Sequence, residues 1–373
     1  MKETTWLEKA APGIADLHPY IPGKPIEELE RELGLVETIK LASNENPLGP
    51  SPLAWSQAQM VVGDVNLYPD DSGFRLRNCL AEFHAISPDA FILGAGSSDV
   101  LNMVARAFLS PGVNAVFSAH SFAMYAIYTQ ACGATAKVAD PLPADHAEMP
   151  YGHDLDAMLA QVDENTRVIF IANPNNPTGT WLQRDELKRF LDRIPADVVV
   201  VLDEAYTQYV EDERFPDGIE WIADYPNLIV TRTFSKIYGL AGLRVGYGIA
   251  SPDLLGVIGR LRAPFNVSLP ALAAAEKALE DVEFLKQSIL TNSEGMQQLE
   301  AGFDALGLKT IPSVGNFLCV EFERPGGEVY DALLNKGVIV RPVANYQLPN
   351  HLRITIGSRN ENEVLLEALR EVL

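Results

Sequence analysis

Residues Thr231–Tyr247 read TRTFSKIYGLAGLRVGY. Lys236 stands beside Ser235 and Thr233 among small residues, and Arg244 follows eight positions later. A lysine that attacks a carbonyl must be a neutral amine near pH 7, so it belongs where burial or nearby cations depress its pKa. Hydroxyls and one fixed guanidinium beside it suit a phosphate. An isolated Ser-Lys pair reads as an exposed loop; the full string is far more particular.

Outward from this stretch, the chain alternates between short apolar runs and helical periods. FILGAG, NAVFSA, RVIFIA, DVVVVLDEAY and NLIVTRTF are Val- and Ile-rich strand patterns between about residues 91 and 234. A helix follows FILGAG through Asp99, Val100, Met103 and Phe108. Leu187, Phe190, Leu191 and Ile194 repeat as the stripe of an amphipathic helix. Strands alternating with helices predict a mostly parallel sheet covered on both faces, with ligands gathered at the strands' carboxyl ends.

The ends of the chain read differently. In 1–50, Ile26, Leu29 and Leu33 share a helical face that Gly34 can close, after a stretch stiffened by Pro19, Pro22 and Pro25. Residues 252–306 read as long helix; NFLCVEF, GVIVRP and LRITIG are strand patterns; the tail is helical through Leu365, Ala368, Leu369 and Val372. The expected division is an arm and the start of a small domain over 1–50, a large domain over 51–251 and a small α/β domain over 252–373. A length of 373 residues suits two domains.

Composition narrows the function. A net charge of -21 with no Lys/Arg-rich run makes nucleic acid and anionic membranes poor partners. Cys79, Cys132 and Cys319 are far apart and form no metal pattern, so reduced thiols in a cytoplasmic protein are expected. MKETTWLEKAAPG carries charges where a secretion leader needs an apolar core, and no run approaches the ~20 apolar residues of a membrane span.

Several short motifs carry polar chemistry. Asp203 follows the apolar run Val198–Leu202, where a carboxylate needs a partner. A helix cap or loop salt bridge is its plainer reading. GAGSSD, Gly94–Asp99, joins a strand to a helix. Its glycines allow close backbone approach and the helix start favours a phosphate, although capping serines explain it equally well. Phe122, in HSFAMY, suits ring stacking or the core. Arg353 opens the strand pattern HLRITIG, and an arginine there suits a carboxylate or simply the surface.

Taken together and in order, PYIPGKP, KLASNENPLGP, ANPNNPTG, LDEAY, TFSKIYGLAGLR and LRITIG resemble the fold-type I pyridoxal-phosphate aminotransferases, most closely the histidinol-phosphate aminotransferase family. The resemblance implies pyridoxal 5'-phosphate joined to Lys236. It implies a cup of Gly96, Ser97, Ser98, Thr233, Ser235 and Arg244 for the phosphate, and Phe122 stacked on the ring. Asp203 then partners the pyridine nitrogen, and Asn176 and Tyr206 meet the phenolic oxygen. Where the family shows Pro-Thr-aromatic, this chain has His120-Ser121-Phe122; that leaves the turn shape open and gives His120 no catalytic role.

Across a homodimer interface the resemblance implies Tyr68 reaching the neighbour's phosphate and Tyr20 reaching the neighbour's substrate. It assigns Arg353 to the substrate carboxylate, with Arg341 as a second cation for a distal anion. The implied reaction takes a small-molecule amino donor and a 2-oxo acid, most closely L-histidinol phosphate with 2-oxoglutarate. Aromatic amino-acid transamination, a threonine-phosphate-type decarboxylase and a non-catalytic regulatory domain are the other readings. The acidic charge and the missing DNA-binding segment argue against the last.

Overall fold

The computed structural model describes residues 6–35 and 37–373; the first five residues of the opening segment lie outside them. Seven strands form the main sheet. Their spatial order is Phe91–Gly94, Gly246–Ala250, Leu228–Thr233, Val199–Asp203, Thr166–Ala172, Asn114–Ser118 and Thr135–Ala139. Gly246–Ala250 alone runs against the others. This is the expected α/β fold with a mostly parallel sheet between helices.

Alternation along the central strands explains the two cores. Val200 and Leu202 face one apolar cluster with Ile169, Ile171 and Val230; Val199 and Val201 face the other with Val168, Phe170 and Ile229. Strands buried on both faces read as continuous apolar runs. Ala172 is in register with Asp203, and Asp203 with Thr231, so the polar residues that close these runs meet at one edge of the sheet.

A second, antiparallel sheet holds Arg341–Pro342, His351–Thr355, Phe317–Glu321 and Lys309–Ile311, in that order. The helices Val282–Ala305, Gly326–Leu334 and Arg359–Val372 contribute to its core. The run GVIVRP divides between two sheets. Val338–Ile339 pairs in parallel with Ile39–Lys40, and Arg341–Pro342 pairs with His351–Thr355.

The single long helix read over 252–306 is three: Pro252–Ile258, Leu269–Glu280 and Val282–Ala305. Ser268 and Asp281 each accept a backbone N–H at the start of the helix that follows and so punctuate the run. Ala271, Ala274, Ala275 and Ala278 pack into the core of the seven-stranded sheet, against the helix Pro52–Val61. Small side chains let Leu269–Glu280 sit deep in the larger core; Leu285 and Ile289 of the next helix also pack against it, while Leu299 and Phe303 further along that helix join the core of the antiparallel sheet. No helix among the described residues is long and apolar enough to cross a membrane.

Candidate active site

A cleft of about 270 Å³ lies at the carboxyl ends of the central strands, between the two bodies. Lys236 sits just past the strand Leu228–Thr233. Its Nζ donates to the Ser43 carbonyl at 2.9 Å and stands 5.7 Å from the Tyr206 ring centroid. Desolvation, helped by the Arg353 cation and opposed by Glu45 and Asp203, pushes this amine down to about 7. Near pH 7 the neutral, nucleophilic amine is therefore well populated.

Asp203 ends the strand Val199–Asp203 and is buried. One carboxylate oxygen accepts from Thr231 Oγ1 at 2.8 Å and the other from the Tyr125 hydroxyl at 2.9 Å. Burial raises its pKa, while those two donors and the Lys236 charge pull the other way. A carboxylate so held is rigid and suits a cationic N–H across the cleft.

Tyr206 follows three residues later. Its hydroxyl oxygen receives Asn44 Nδ2 at 2.9 Å and Asn176 Nδ2 at 3.2 Å. With those two donors directed at the oxygen, the phenol's own proton is free to point at an acceptor in the cleft.

The phosphate-type corner is a matter of close backbone approach. Gly96 has φ +84°, and a Cβ on it would come within 2.5 Å of Arg244 Nη2. A Cβ on Gly246 would meet the Ser97 backbone nitrogen at 2.4 Å. Ser97 and Ser98 begin the helix Ser97–Phe108, so its free N–H groups open towards Arg244, Ser235 and Thr233. Arg244 itself has φ +55° and donates to Ser235 Oγ at 3.3 Å and to the Ala241 carbonyl at 2.9 Å. This donor set, facing a rigid carboxylate and a neutral lysine, fits pyridoxal phosphate.

From the smaller body comes Arg353. It donates to Asn176 Oδ1 and to the Ala42 carbonyl, each at 2.6 Å, and lies 5.5 Å from the Phe317 ring centroid. Phe122 lines the opposite wall.

Lys236, Asp203, Tyr206, Asn176, Thr233, Ser235, Arg244, Ser97, Ser98, Phe122, Arg353 and Tyr20 all line the cleft; Gly96 supports its floor. Tyr20 lines the cleft of its own chain. The Arg341 guanidinium packs 5.2 Å from the Tyr20 ring centroid and donates to the Ile21 carbonyl at 2.6 Å, tying the arm to the smaller body. Arg341 does not itself line the cleft. Tyr68 lies outside it, 82% exposed and stacked on Phe265 at 4.6 Å.

Sequence reading missed Ser43, Asn44 and Tyr125. Asn44 has φ +55°, and Asn is among the residues that tolerate that conformation. The Ser-Asn-Glu-Asn-Pro string, within the segment KLASNENPLGP that helps carry the resemblance, is the signal available, but nothing in it assigns a role to either residue.

The aminotransferase class I and II family model matches residues 36–369. Histidinol-phosphate aminotransferase 2 of Pseudomonas fluorescens strain Pf0-1 is 56% identical over 370 residues, covering 99% of this chain and 98% of that protein. The Pseudomonas aeruginosa protein of the same name is 53% identical over 99% of this chain and 98% of its own length. Among solved structures, the histidinol-phosphate aminotransferase of Sinorhizobium meliloti in complex with pyridoxal-5'-phosphate superposes with a TM-score of 0.88 at 29% identity, covering 100% of this chain and 98% of that one.

Proposed function

This chain belongs to the aminotransferase class I and II family, and on that footing we propose that it is a pyridoxal-phosphate-dependent aminotransferase of histidine biosynthesis. It moves the amino group of L-histidinol phosphate to 2-oxoglutarate, yielding imidazole acetol phosphate and L-glutamate. The observation that carries this reading is the convergence of a lysine pushed down to about 7, a buried carboxylate and an arginine from the other body on one cleft.

When bound, pyridoxal phosphate supplies a carbonyl carbon for the substrate amine and a ring that accepts the electron pair left at Cα. The residues divide the remaining work. Ser97, Ser98, Thr233, Ser235 and Arg244, around Gly96, would hold the phosphate, and Phe122 would pack against the ring. Asp203 would keep a proton on the ring nitrogen. Tyr206, steadied by Asn44 and Asn176, would donate to the ring's phenolic oxygen. Lys236 would take the proton from the substrate Cα and deliver it to the cofactor's C4′ carbon, beyond the amino nitrogen, as base and then acid.

Arg353 holds the anionic end of each substrate in turn: the carboxylate of glutamate or the phosphate of histidinol phosphate. Arg341 stands directly across the antiparallel pair from Arg353. Like charges directly opposite are unfavourable unless something offsets them. An anion held on the Tyr20 side of the cleft would offset both charges, so Arg341, behind Tyr20, backs Arg353 in phosphate capture.

The test is product analysis with L-histidinol phosphate and 2-oxoglutarate. Imidazole acetol phosphate and glutamate are expected in equal amounts. Carbon dioxide release would mark a decarboxylase, and faster turnover of phenylalanine or tyrosine an aromatic aminotransferase. Arg353→Lys should lower kcat/KM for both half-reactions by roughly 10- to 100-fold, because lysine cannot form the fork. Bound-cofactor absorbance should hardly change. A loss confined to the glutamate half would leave Arg341 as the phosphate reader.

The working form is a homodimer in the cytoplasm. Trp55, Met60, Val65, Leu67, Tyr68 and Phe74 are all exposed large apolar or aromatic side chains within residues 55–74, and clustered exposure of that kind marks an interaction surface. Tyr68 stands in that stretch and reaches the neighbour's phosphate. Mixing Tyr68→Phe subunits with Lys236→Ala subunits puts both lesions in one site of each hybrid and leaves the other site whole. Activity near half that of wild-type dimers is expected. No recovery in verified hybrids would show that Tyr68 serves its own chain. The free thiols Cys79, Cys132 and Cys319 suit a reducing compartment.

A further inference from the structure

His120 and Tyr151 lie beside the cleft but take no part in the chemistry above. His120 is buried at the start of the loop that carries Phe122, and its Nδ1 lies 2.6 Å from the Tyr346 carbonyl in the other body. A carbonyl only accepts, so the imidazole carries its proton on Nδ1. Burial holds the ring below its usual pKa, which keeps it neutral. The His120 carbonyl in turn accepts from Asn175 Nδ2 at 2.9 Å, beside Asn176.

Tyr151 completes the contact. Its ring meets His120 edge-on at 5.5 Å and His351 edge-on at 5.6 Å. His351 opens the strand that carries Arg353, is 5% exposed, and has no hydrogen-bond partner on either ring nitrogen. Tyr151 has φ +60°. An aromatic residue in that conformation is strained and persists only where its surroundings hold it. The surroundings are Ile311, Cys319, Val343, Tyr346 and Leu348, a small apolar cluster to which Ala123 and Tyr151 also belong. The cluster is separate from the main core of either body.

We propose that His120 and Tyr151 are positioning residues that latch the turn Ala344–Tyr346 and the strand His351–Thr355 onto the loop of Phe122. The latch sets the distance between the wall that covers the cofactor ring and the arginine that captures substrate. It rests on the roles given above to Phe122 and Arg353. Undoing it lowers the fraction of molecules with Arg353 in place, so substrate affinity falls by that fraction while chemistry at saturation persists.

Two variants separate the parts. His120→Phe keeps a ring and removes the Nδ1–H, leaving the Tyr346 carbonyl without its donor; His120→Asn restores an amide N–H near the same position. In the holoenzyme, hydrogen exchange over 343–348 and KM for histidinol phosphate should each rise about tenfold in His120→Phe, the usual scale for a lost buried hydrogen bond. Both should return to within about threefold of wild type in His120→Asn, and kcat should move less than either. Tyr151→Gly relieves the backbone strain but removes the wedge, and the same rise in KM and exchange is expected from it.

A His120→Phe protein with a lower melting temperature but unchanged exchange and KM has lost a purely structural contact, which overturns the proposal. If that variant does not fold, Tyr151→Gly decides alone, and wild-type KM and exchange in it overturn the latch. Should the wild type not turn over histidinol phosphate, the assigned function fails, and hydrogen exchange still judges the latch.

Discussion

Lys236→Ala is expected to stay folded and to lose transamination by at least about 10⁴-fold. The substitution removes the only amine that lines the cleft among the described residues, and with it both the nucleophile and the proton carrier. Alanine leaves a small void beside Ser43 and no stranded charge, so folding should survive. Borohydride reduction followed by peptide mapping should mark Lys236 in the wild type and nothing in the variant. The apo wild type offers a second check. Only a neutral amine attacks, so the rate of cofactor capture should climb as pH rises through about 7. Near-normal turnover in the variant, or capture that is flat with pH, would remove Lys236 from this role.

Asp203→Asn is expected to lose about 10²- to 10³-fold in single-turnover proton abstraction while keeping its fold and part of its cofactor. The amide has the same shape, and one of its atoms still accepts from Thr231. It cannot hold a proton on a ring nitrogen by charge, so electron withdrawal from Cα weakens. Burial also makes the wild-type carboxylate costly to ionise, and its two donors offset part of that cost. The variant should therefore be as stable as the wild type or more so, which separates a catalytic loss from unfolding. An unchanged abstraction rate would show that Asp203 serves only Tyr125 and Thr231.

Those residues were the legible part of the site because each closes a run of apolar residues. A polar group after Val198–Leu202, or after NLIVTR, must emerge at one edge of a buried sheet. What composition hid depended on distance through space. Asn44 acts on Tyr206, 162 residues away, and nothing local marks a turn asparagine as a ligand of a phenol. The arm raised the same problem, since the contact that holds Tyr20 comes from Arg341, at the far end of the sequence. The alanine-rich helix Leu269–Glu280 is apolar throughout its first half and carries charge only at Glu276, Lys277 and Glu280, so its pattern could not say which body it joins. His120 gave no signal because its partner is a backbone carbonyl, which every residue has.

The pairing of Ile39–Lys40 with Val338–Ile339, reinforced by the bond from the Asn44 N–H to Thr355 Oγ1, has a consequence for how the chain is made. On the ribosome the first of these strands emerges long before its mate. Until then it is an open edge with unmatched amides, a template for association with another nascent chain. The sheets on either side of that pair can collapse on their own local contacts, whereas the pairing of Ile39–Lys40 with Val338–Ile339 must await a very long loop closure. Lys236 and Asp203 are thus in place early, but the cradle of Ser43, Asn44 and Arg353 closes last, and full cofactor retention should lag behind compaction during refolding.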